Sequence, residues 1–378
     1  MNRNMASKDS ISSYLRKIFS LAVAAGLFFA TIELCARIDD RFRYGAPFSG
    51  KYDASILRSY DKDGIRHNVP NASFEKWKIN NYGFRGKDIT IGKADGTQRV
   101  VCLGTSETFG LYEKENNEWP AQLMRILEPE KKFEIINASV VGMGLEHYRR
   151  YIDRYVMPFS PDFIILIINP YFYISHSVRE HPRKTEDTVE SSRPNHAEGG
   201  DINDRKLELR VVEKIKNGAK MLLPEGILKR YQRYQMTRQV ENVRRAMKTE
   251  VLADDAAETD VRLFQGDVAK LVDFIEAKRI RPVLCSYPVL INAENRDLYP
   301  EIFLDGMRYS PGLSLSGMIN APRRLNSVLQ AVAENRDIVF VDNYHLLPQV
   351  IENFGDNVHY SDIGANIVAK NFARVFRP

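Results

Sequence analysis

The chain has 378 residues, of which 44% are hydrophobic and 27% are charged, and this balance excludes a largely disordered, collagen-like or many-pass membrane protein. The formal net charge of +5 is too small over this length to indicate a nucleic-acid-binding protein. The three cysteines are scattered and the seven histidines are dispersed, so neither a disulfide framework nor a cluster of metal ligands is predicted.

The N-terminal residues 18–36 are almost entirely apolar, and as a helix they would nearly cross a bilayer. A cleaved signal peptide or a lipoprotein modified at Cys35 needs small residues before the cleavage site, and they are missing there. A buried core helix is the remaining alternative. Basic residues precede the segment, so we predict an uncleaved single-pass transmembrane anchor. Residues 1–17 are then cytoplasmic, and the chain from about residue 40 onward is extracytoplasmic, on the periplasmic side.

Residues 42–98 are polar and rich in turns, and we interpret them as a connecting segment that packs on the domain formed by residues 99–378. From residue 99, apolar runs typical of buried strands alternate with segments of helical periodicity. The predicted strands are 99–103, 133–137, 162–168, 282–287 and 337–342, and the predicted helices are 118–127, 144–155, 260–278, 321–335 and 363–376. This alternation predicts an α/β fold with a parallel sheet covered on both faces.

An insertion at residues 174–250 interrupts the alternation. Its first part is polar, and its second part, from about residue 205, is typical of a helix rich in Arg and Lys. Two interpretations stay open for the basic residues: a solvated helix face, or a face that approaches anionic lipid headgroups or an acidic polymer. The basic stretch lacks aromatic residues at a recognisable spacing, so no nucleic-acid partner is expected.

Polar residues follow several of the predicted strands, where ligands bind in sheets of this kind. Ser106 lies in the turn after the first strand and Gly142 in the turn after the second. Asp356 and His359 lie three residues apart in the loop before the last helix. A serine hydroxyl is a weak nucleophile until a histidine accepts its proton and a carboxylate orients that histidine, so these residues predict a Ser-His-Asp site. For Glu107 two interpretations stay open: a residue that shapes the pocket, or, more simply, a solvated carboxylate at a helix start.

Taken together, these residues resemble the sequence blocks of the SGNH (GDSL-type) hydrolase family, in a membrane-anchored form. The blocks are GTSETFG at 104–110 with Thr105 in place of the family's Asp, NASVVG at 137–142, DNVH at 356–359 followed by Ser361 and Gly364, and the upstream stretch NNYGFRG at 80–86. The resemblance covers about residues 78–170 and 260–378. It implies a flavodoxin-like three-layer α/β/α sandwich, here with a helical insertion and an N-terminal transmembrane helix.

The resemblance also implies hydrolysis or transfer of acyl esters, with no metal or cofactor. Carried over to this sequence, it makes Ser106 the nucleophile, His359 the base and Asp356 the residue that orients the base. The N–H groups of Ser106 and Gly142 would form part of the oxyanion hole.

The third block of the family, GxND, is changed in this chain. Strict register places Tyr171 at the oxyanion Asn and Asn169 at the Gly, and we predict that Asn169 supplies the donor from a shifted position. Since losing one oxyanion donor typically costs ~10²–10³ in rate, two functions stay open. The first is a serine esterase or acyltransferase that acts on acyl esters of extracytoplasmic glycans or lipids. The second is a catalytically inactive scaffold or binding protein of the cell envelope.

Overall fold

A computed structural model describes residues 3–50, 52–130, 132–174, 209–211, 214–215, 225–247 and 252–377. The chain divides into two compact units, Met1–Asp53 with Gly200–Glu225 and Ala54–Gly199 with Gly226–Pro378. Residues 175–208, the polar part of the predicted insertion, lie outside the described residues.

The first unit contains the long helix α1 (Arg3–Tyr44). Its part Arg16–Tyr44 is long and apolar enough to cross a membrane, and the most apolar stretch is fully exposed. A core helix would be buried, so this exposure disfavours that alternative, whereas a signal sequence remains compatible with it. Near its C-terminal end, Glu33 pairs with Arg37 at 2.7 Å and accepts the backbone N–H of Val211 at 2.9 Å.

The second unit contains a five-stranded parallel sheet and two small hairpins. In chain order its strands are β1 (Arg58–Tyr60), β2 (Arg66–Asn68), β3 (Ser73–Phe74), β4 (Trp77–Lys78), β5 (Gln98–Leu103), β6 (Phe133–Asn137), β7 (Phe163–Leu166), β8 (Arg281–Cys285) and β9 (Val339–Val341). Strands β5 to β9 form the sheet in the order β6-β5-β7-β8-β9. β1 pairs with β2 and β3 with β4, both antiparallel. Each of the five sheet strands coincides with a predicted apolar run.

Helices follow the sheet strands as the alternation predicted. They are α2 (Ser106–Phe109), α3 (Trp119–Leu127), α4 (Tyr148–Tyr151), α5 (Tyr171–Ile174), α6 (Glu225–Met247), α7 (Glu258–Ala277), α8 (Pro300–Tyr309), α9 (Leu315–Asn335), α10 (Asn343–Leu346) and α11 (Asp362–Phe376). The predicted helix at 144–155 is α4 with short 3₁₀ and π segments on either side. The structure adds α8, the short helices α5 and α10 and the hairpins, which the sequence interpretation did not identify.

Alternate residues of β5 face opposite sides of the sheet, as strand geometry requires. Val100 and Cys102 pack in the core cluster that includes α3 and α11, and Val101 and Leu103 pack in the cluster that includes α7 and α9. The sheet is therefore a middle layer with helices on both faces. This arrangement confirms the predicted α/β/α sandwich.

Candidate active site

Ser106 begins α2 directly after the sharp turn that follows β5. A side chain is excluded at Gly104, because a Cβ there would lie 2.1 Å from Oγ1 of Thr108. This glycine lets the strand turn at once into the helix, and Ser106 stays half-buried at the helix start. Within the described part of the chain, no hydrogen bond uses the backbone N–H of Ser106, so that donor is available to a ligand.

Glu107 is fully buried, so its interpretation as a solvated carboxylate was wrong. The carboxylate accepts the backbone N–H of Thr105 at 2.9 Å and the Thr105 hydroxyl at 2.5 Å. Burial raises the pKa of Glu107, while the bonds from Thr105 act in the opposite direction. A carboxylate at a helix start is normally exposed, but this one turns back on the residue before Ser106. It thereby fixes the turn that presents the serine.

Ser106, His359 and Asp356 form a continuous chain of hydrogen bonds. Nε2 of His359 lies 2.7 Å from Oγ of Ser106, and Nδ1 of His359 lies 2.7 Å from Oδ2 of Asp356. The second carboxylate oxygen, Oδ1, accepts the N–H groups of Val358 and His359, both at 2.9 Å. Asp356 is therefore fixed by its own loop and accepts the Nδ1–H of His359. Nε2 is then left to accept the proton of Ser106.

The pKa values of this pair move in opposite directions. Burial disfavours the charged form of each group, but the mutual hydrogen bond and opposite charges outweigh burial. The pKa of Asp356 is therefore lowered and the pKa of His359 is raised. Such a histidine is a stronger base than a free imidazole.

The start of α11 holds the loop that carries Asp356 and His359. Ser361 caps the helix by accepting the N–H of Gly364 at 3.2 Å, and its own N–H donates to the carbonyl of Asn353 at 3.0 Å. A Cβ at Gly364 would lie 2.0 Å from that same carbonyl oxygen. The Ser and Gly that follow the DNVH block thus close the loop on itself, which positions His359.

Gly142 lies in a tight turn beside the nucleophile turn, with a φ of +75° that favours glycine. The N–H of Val140 donates to the carbonyl of Gly104 at 3.2 Å, and the N–H of Met143 donates to the carbonyl of Val140 at 3.1 Å. Among the residues that the structure describes, none accepts the N–H of Gly142. The turn therefore offers a backbone donor next to Ser106, as an oxyanion hole requires.

Asn169 and Tyr171, the two residues of the changed third block, have different environments. Oδ1 of Asn169 accepts the N–H of Tyr171 at 2.9 Å. The amide NH₂ group of Asn169 makes no hydrogen bond to any described residue and stays available as a donor. The hydroxyl of Tyr171 accepts a hydrogen bond from the side-chain amide of Asn357 at 3.3 Å, and Asn357 lies in the loop that carries Asp356 and His359. The assignment of Ser106, Gly142 and Asn169 to an oxyanion hole remains a prediction.

Tyr112 lines the site, although the sequence interpretation did not single it out. Its ring centroid lies 5.7 Å from that of His359, and 51% of the residue is exposed. A Cβ at Gly355 would lie 2.4 Å from the Tyr112 ring, so glycine is needed there for the ring to pack on the loop. Tyr112 therefore covers one side of His359 and presents an aromatic face to solvent.

A buried group of charges supports the end of α2, and it too was missed. Arg85 donates to the carbonyls of Phe109 and Gly110 at 2.6 and 2.7 Å and lies 3.2 Å from Glu118. Glu113 is buried nearby, and burial raises the pKa of Glu113 to about 8. Arg85 belongs to the NNYGFRG stretch, so the signal was present in the sequence.

No metal-ligating cluster of three or more His, Cys, Asp or Glu occurs among the described residues.

No protein-family model matches this sequence. No curated protein sequence matches it either. Solved structures do match, and three examples follow. The lipase/acylhydrolase from Enterococcus faecalis is 13% identical, with a TM-score of 0.41 over 74% of this chain and 95% of that one. A member of the lipolytic protein G-D-S-L family from Veillonella parvula is 11% identical, with a TM-score of 0.41 over 74% and 98% of the two chains.

The third is a catalytic mutant of an acetylxylan esterase from Geobacillus stearothermophilus, 12% identical, with a TM-score of 0.40 over 75% of this chain and 95% of that one. In fold, the chain is similar to GDSL-type lipolytic proteins and acetylxylan esterases.

Proposed function

We propose that this chain is an SGNH-type serine esterase or acyltransferase anchored in a membrane. The observation that supports it most directly is the hydrogen-bonded chain from Ser106 through His359 to Asp356, with both distances at 2.7 Å. A surface serine or a simple ion pair does not require this geometry, whereas general-base activation of a serine does.

In the proposed reaction, Oγ of Ser106 attacks the ester carbonyl carbon while its proton passes to Nε2 of His359. The electron pair of the C=O bond moves to the oxygen, which the N–H groups of Ser106 and Gly142 and the amide of Asn169 stabilise. His359 then gives its proton to the departing alkoxide as the C–O bond breaks, leaving an acyl-Ser106 ester. Water or a sugar hydroxyl attacks this ester with His359 again as base, which gives hydrolysis or acyl transfer.

The proposed substrates are acyl esters of extracytoplasmic glycans or lipids, because the apolar helix in Arg16–Tyr44 would hold the second unit at a membrane. The basic residues before the helix favour a cytoplasmic N-terminus. This orientation is tested with Ala6→Cys and Ser59→Cys, each introduced separately into a chain whose exposed Cys35 is replaced by Ser, and a membrane-impermeant thiol reagent. Labelling of intact cells at position 59 and not at position 6 supports it, and the reverse pattern contradicts it.

A serine-directed fluorophosphonate probe tests the chemistry. The wild-type protein should be labelled, and labelling should disappear in Ser106→Ala but persist in the matched control Ser59→Ala, which changes an exposed serine. Hydrolysis of p-nitrophenyl acetate should follow the same pattern. A folded wild-type protein that is neither labelled by the probe nor able to hydrolyse the ester would contradict the esterase. It would favour the inactive scaffold, which the changed third block of the sequence suggests.

A further inference from the structure

Arg66 lies against the glycine of the predicted oxyanion hole. A Cβ built on Gly142 would lie 2.9 Å from Nη1 of Arg66 and 3.6 Å from its Cζ. Since residues i and i+2 of a strand share a face, Arg66 and Asn68 of β2 both point toward this turn. The amide of Asn68 donates to the carbonyl of Ser139 at 3.0 Å, which ties β2 to the turn at a second point.

The hairpin that carries Arg66 is itself held in place. Arg66 lies over the ring of Tyr60, 5.8 Å from its centroid. At the tip of the hairpin, Asp61 accepts hydrogen bonds from Arg154 at 2.5 Å and from the Tyr155 hydroxyl at 2.9 Å. The turn end of the hairpin is therefore anchored beside Arg66, and its approach to Gly142 is not that of a loose surface side chain.

One oxygen atom can contact both Arg66 and the N–H of Gly142. A Cβ lies about 2.5 Å from its own backbone nitrogen, so the 2.9 Å contact places Nη1 at most about 5.4 Å from the nitrogen of Gly142. Two donors that share an acceptor at about 2.9 Å each can be as much as about 5.8 Å apart. The two donors are therefore close enough for one oxygen atom to accept a hydrogen bond from both.

The geometry points to Arg66 as a further catalytic residue, a charged donor to the oxyanion; this assignment rests on the proposed function. When Oγ of Ser106 adds to the carbonyl, a full negative charge develops on the oxygen beside Gly142. Arg66 remains protonated throughout and donates a hydrogen bond without transferring the proton. A charge-assisted bond of this kind is stronger than that of a neutral amide, which fits a site whose third block has lost the family's Asn. Collapse of the intermediate removes the charge and releases the bond.

Replacing Arg66 tests the assignment, with p-nitrophenyl acetate as the substrate because it carries no anionic group that Arg66 could bind. Arg66→Ala and Arg66→Gln should lower kcat by about 10²–10³ with little change in KM, since the interaction forms only in the transition state. Arg66→Lys, which keeps the charge but not the forked geometry, should lose less. The matched control is Arg58→Ala on β1 of the same hairpin, where the guanidinium donates to the carbonyl of Ala54 at 3.1 Å.

Chemical rescue separates this role from a structural one. Guanidinium chloride at non-denaturing concentration should restore part of kcat to Arg66→Ala, in proportion to its concentration, and should leave Arg58→Ala and the wild type unchanged. The assignment is overturned, but the esterase is not, if the wild type shows Ser106-dependent turnover and the kcat of Arg66→Ala lies within about threefold of the wild-type kcat. A loss of kcat in Arg66→Ala that guanidinium never restores also overturns it. A wild type without Ser106-dependent turnover overturns both proposals.

Discussion

The hydrogen bond between Asp356 and His359 predicts how activity depends on pH. Burial lowers the pKa of His359, but the bond to Asp356 and its charge outweigh burial and hold that pKa above the ordinary value of 6.5. The neutral imidazole is the base, so kcat/KM should fall as pH drops through the pKa of His359 in the free enzyme. In the wild type, the midpoint of this fall should therefore lie above pH 6.5.

Asp356→Asn changes both the position and the height of this profile. The substitution removes the charge that raises the pKa of His359 but leaves the burial that lowers it, so the midpoint should move to lower pH. The amide oxygen of Asn can still accept the N–H groups of Val358 and His359, which places its NH₂ group toward Nδ1 of His359. Nδ1 must then accept, the proton resides on Nε2, and Ser106 loses its base. For this wrong tautomer we expect a loss of about 10⁴ in kcat.

The chain offers a matched control for this variant. Asp342 and His345 have the same D-x-x-H spacing and a bond of 2.6 Å between Oδ2 and Nδ1, but the His345 side chain is 76% exposed and contacts no serine among the described residues. Asp342→Asn should leave the profile of p-nitrophenyl acetate hydrolysis unchanged. If Asp356→Asn keeps its activity within about tenfold, or if its midpoint does not move, His359 is not the base that we infer.

Three further predictions concern buried groups and the third block. Glu107→Ala leaves the N–H and hydroxyl of Thr105 without their acceptor, and should lower the free energy of unfolding by about 1–3 kcal/mol in chemical denaturation. Burial raises the pKa of Glu113 to about 8, so the folded chain keeps a proton that the unfolded chain releases above 4.5. Stability should therefore fall as pH rises between these values, and Glu113→Gln should flatten that fall in denaturation curves. In steady-state assays, Asn169→Ala should lower kcat by about 10²–10³ and Tyr171→Phe by less than about tenfold.

The sheet was predictable because its strands are short apolar runs that are buried on both faces, a pattern that little else produces. The position of His359 was predictable for a different reason. Two segments with the D-x-x-H spacing lie close together in the sequence, at 342–345 and 356–359. Only the second is followed by the Ser361 and Gly364 that close its loop. The family resemblance distinguishes the two segments, whereas secondary-structure propensity alone does not.

The residues that the sequence interpretation missed reach the site through tertiary contacts. Glu107 stands at a helix start, where solvation is the usual outcome, and its burial depends on Thr105 folding back onto it. Arg85 and Arg66 lie in a polar, turn-rich segment whose periodicity predicts no more than a connection, and only Arg85 belongs to a stretch that the family resemblance includes. Their partners are backbone carbonyls and a glycine far along the chain, and such contacts leave no periodic signal.

The upstream segment therefore does more than join an anchor to a domain. Arg85 bonds the carbonyls that end α2, Asn68 bonds the turn that contains Gly142, and Arg66 lies beside Gly142. Two of the turns that converge at Ser106 are thus braced by residues that precede the sheet in sequence. A three-layer sandwich positions its loops at the edge of the sheet but leaves their conformations to local contacts. In this chain several of the residues that fix those conformations lie in 54–97, so a truncated chain that begins at β5 would keep Ser106, His359 and Asp356 and lose the contacts of Asn68 and Arg85 with the neighbouring turns.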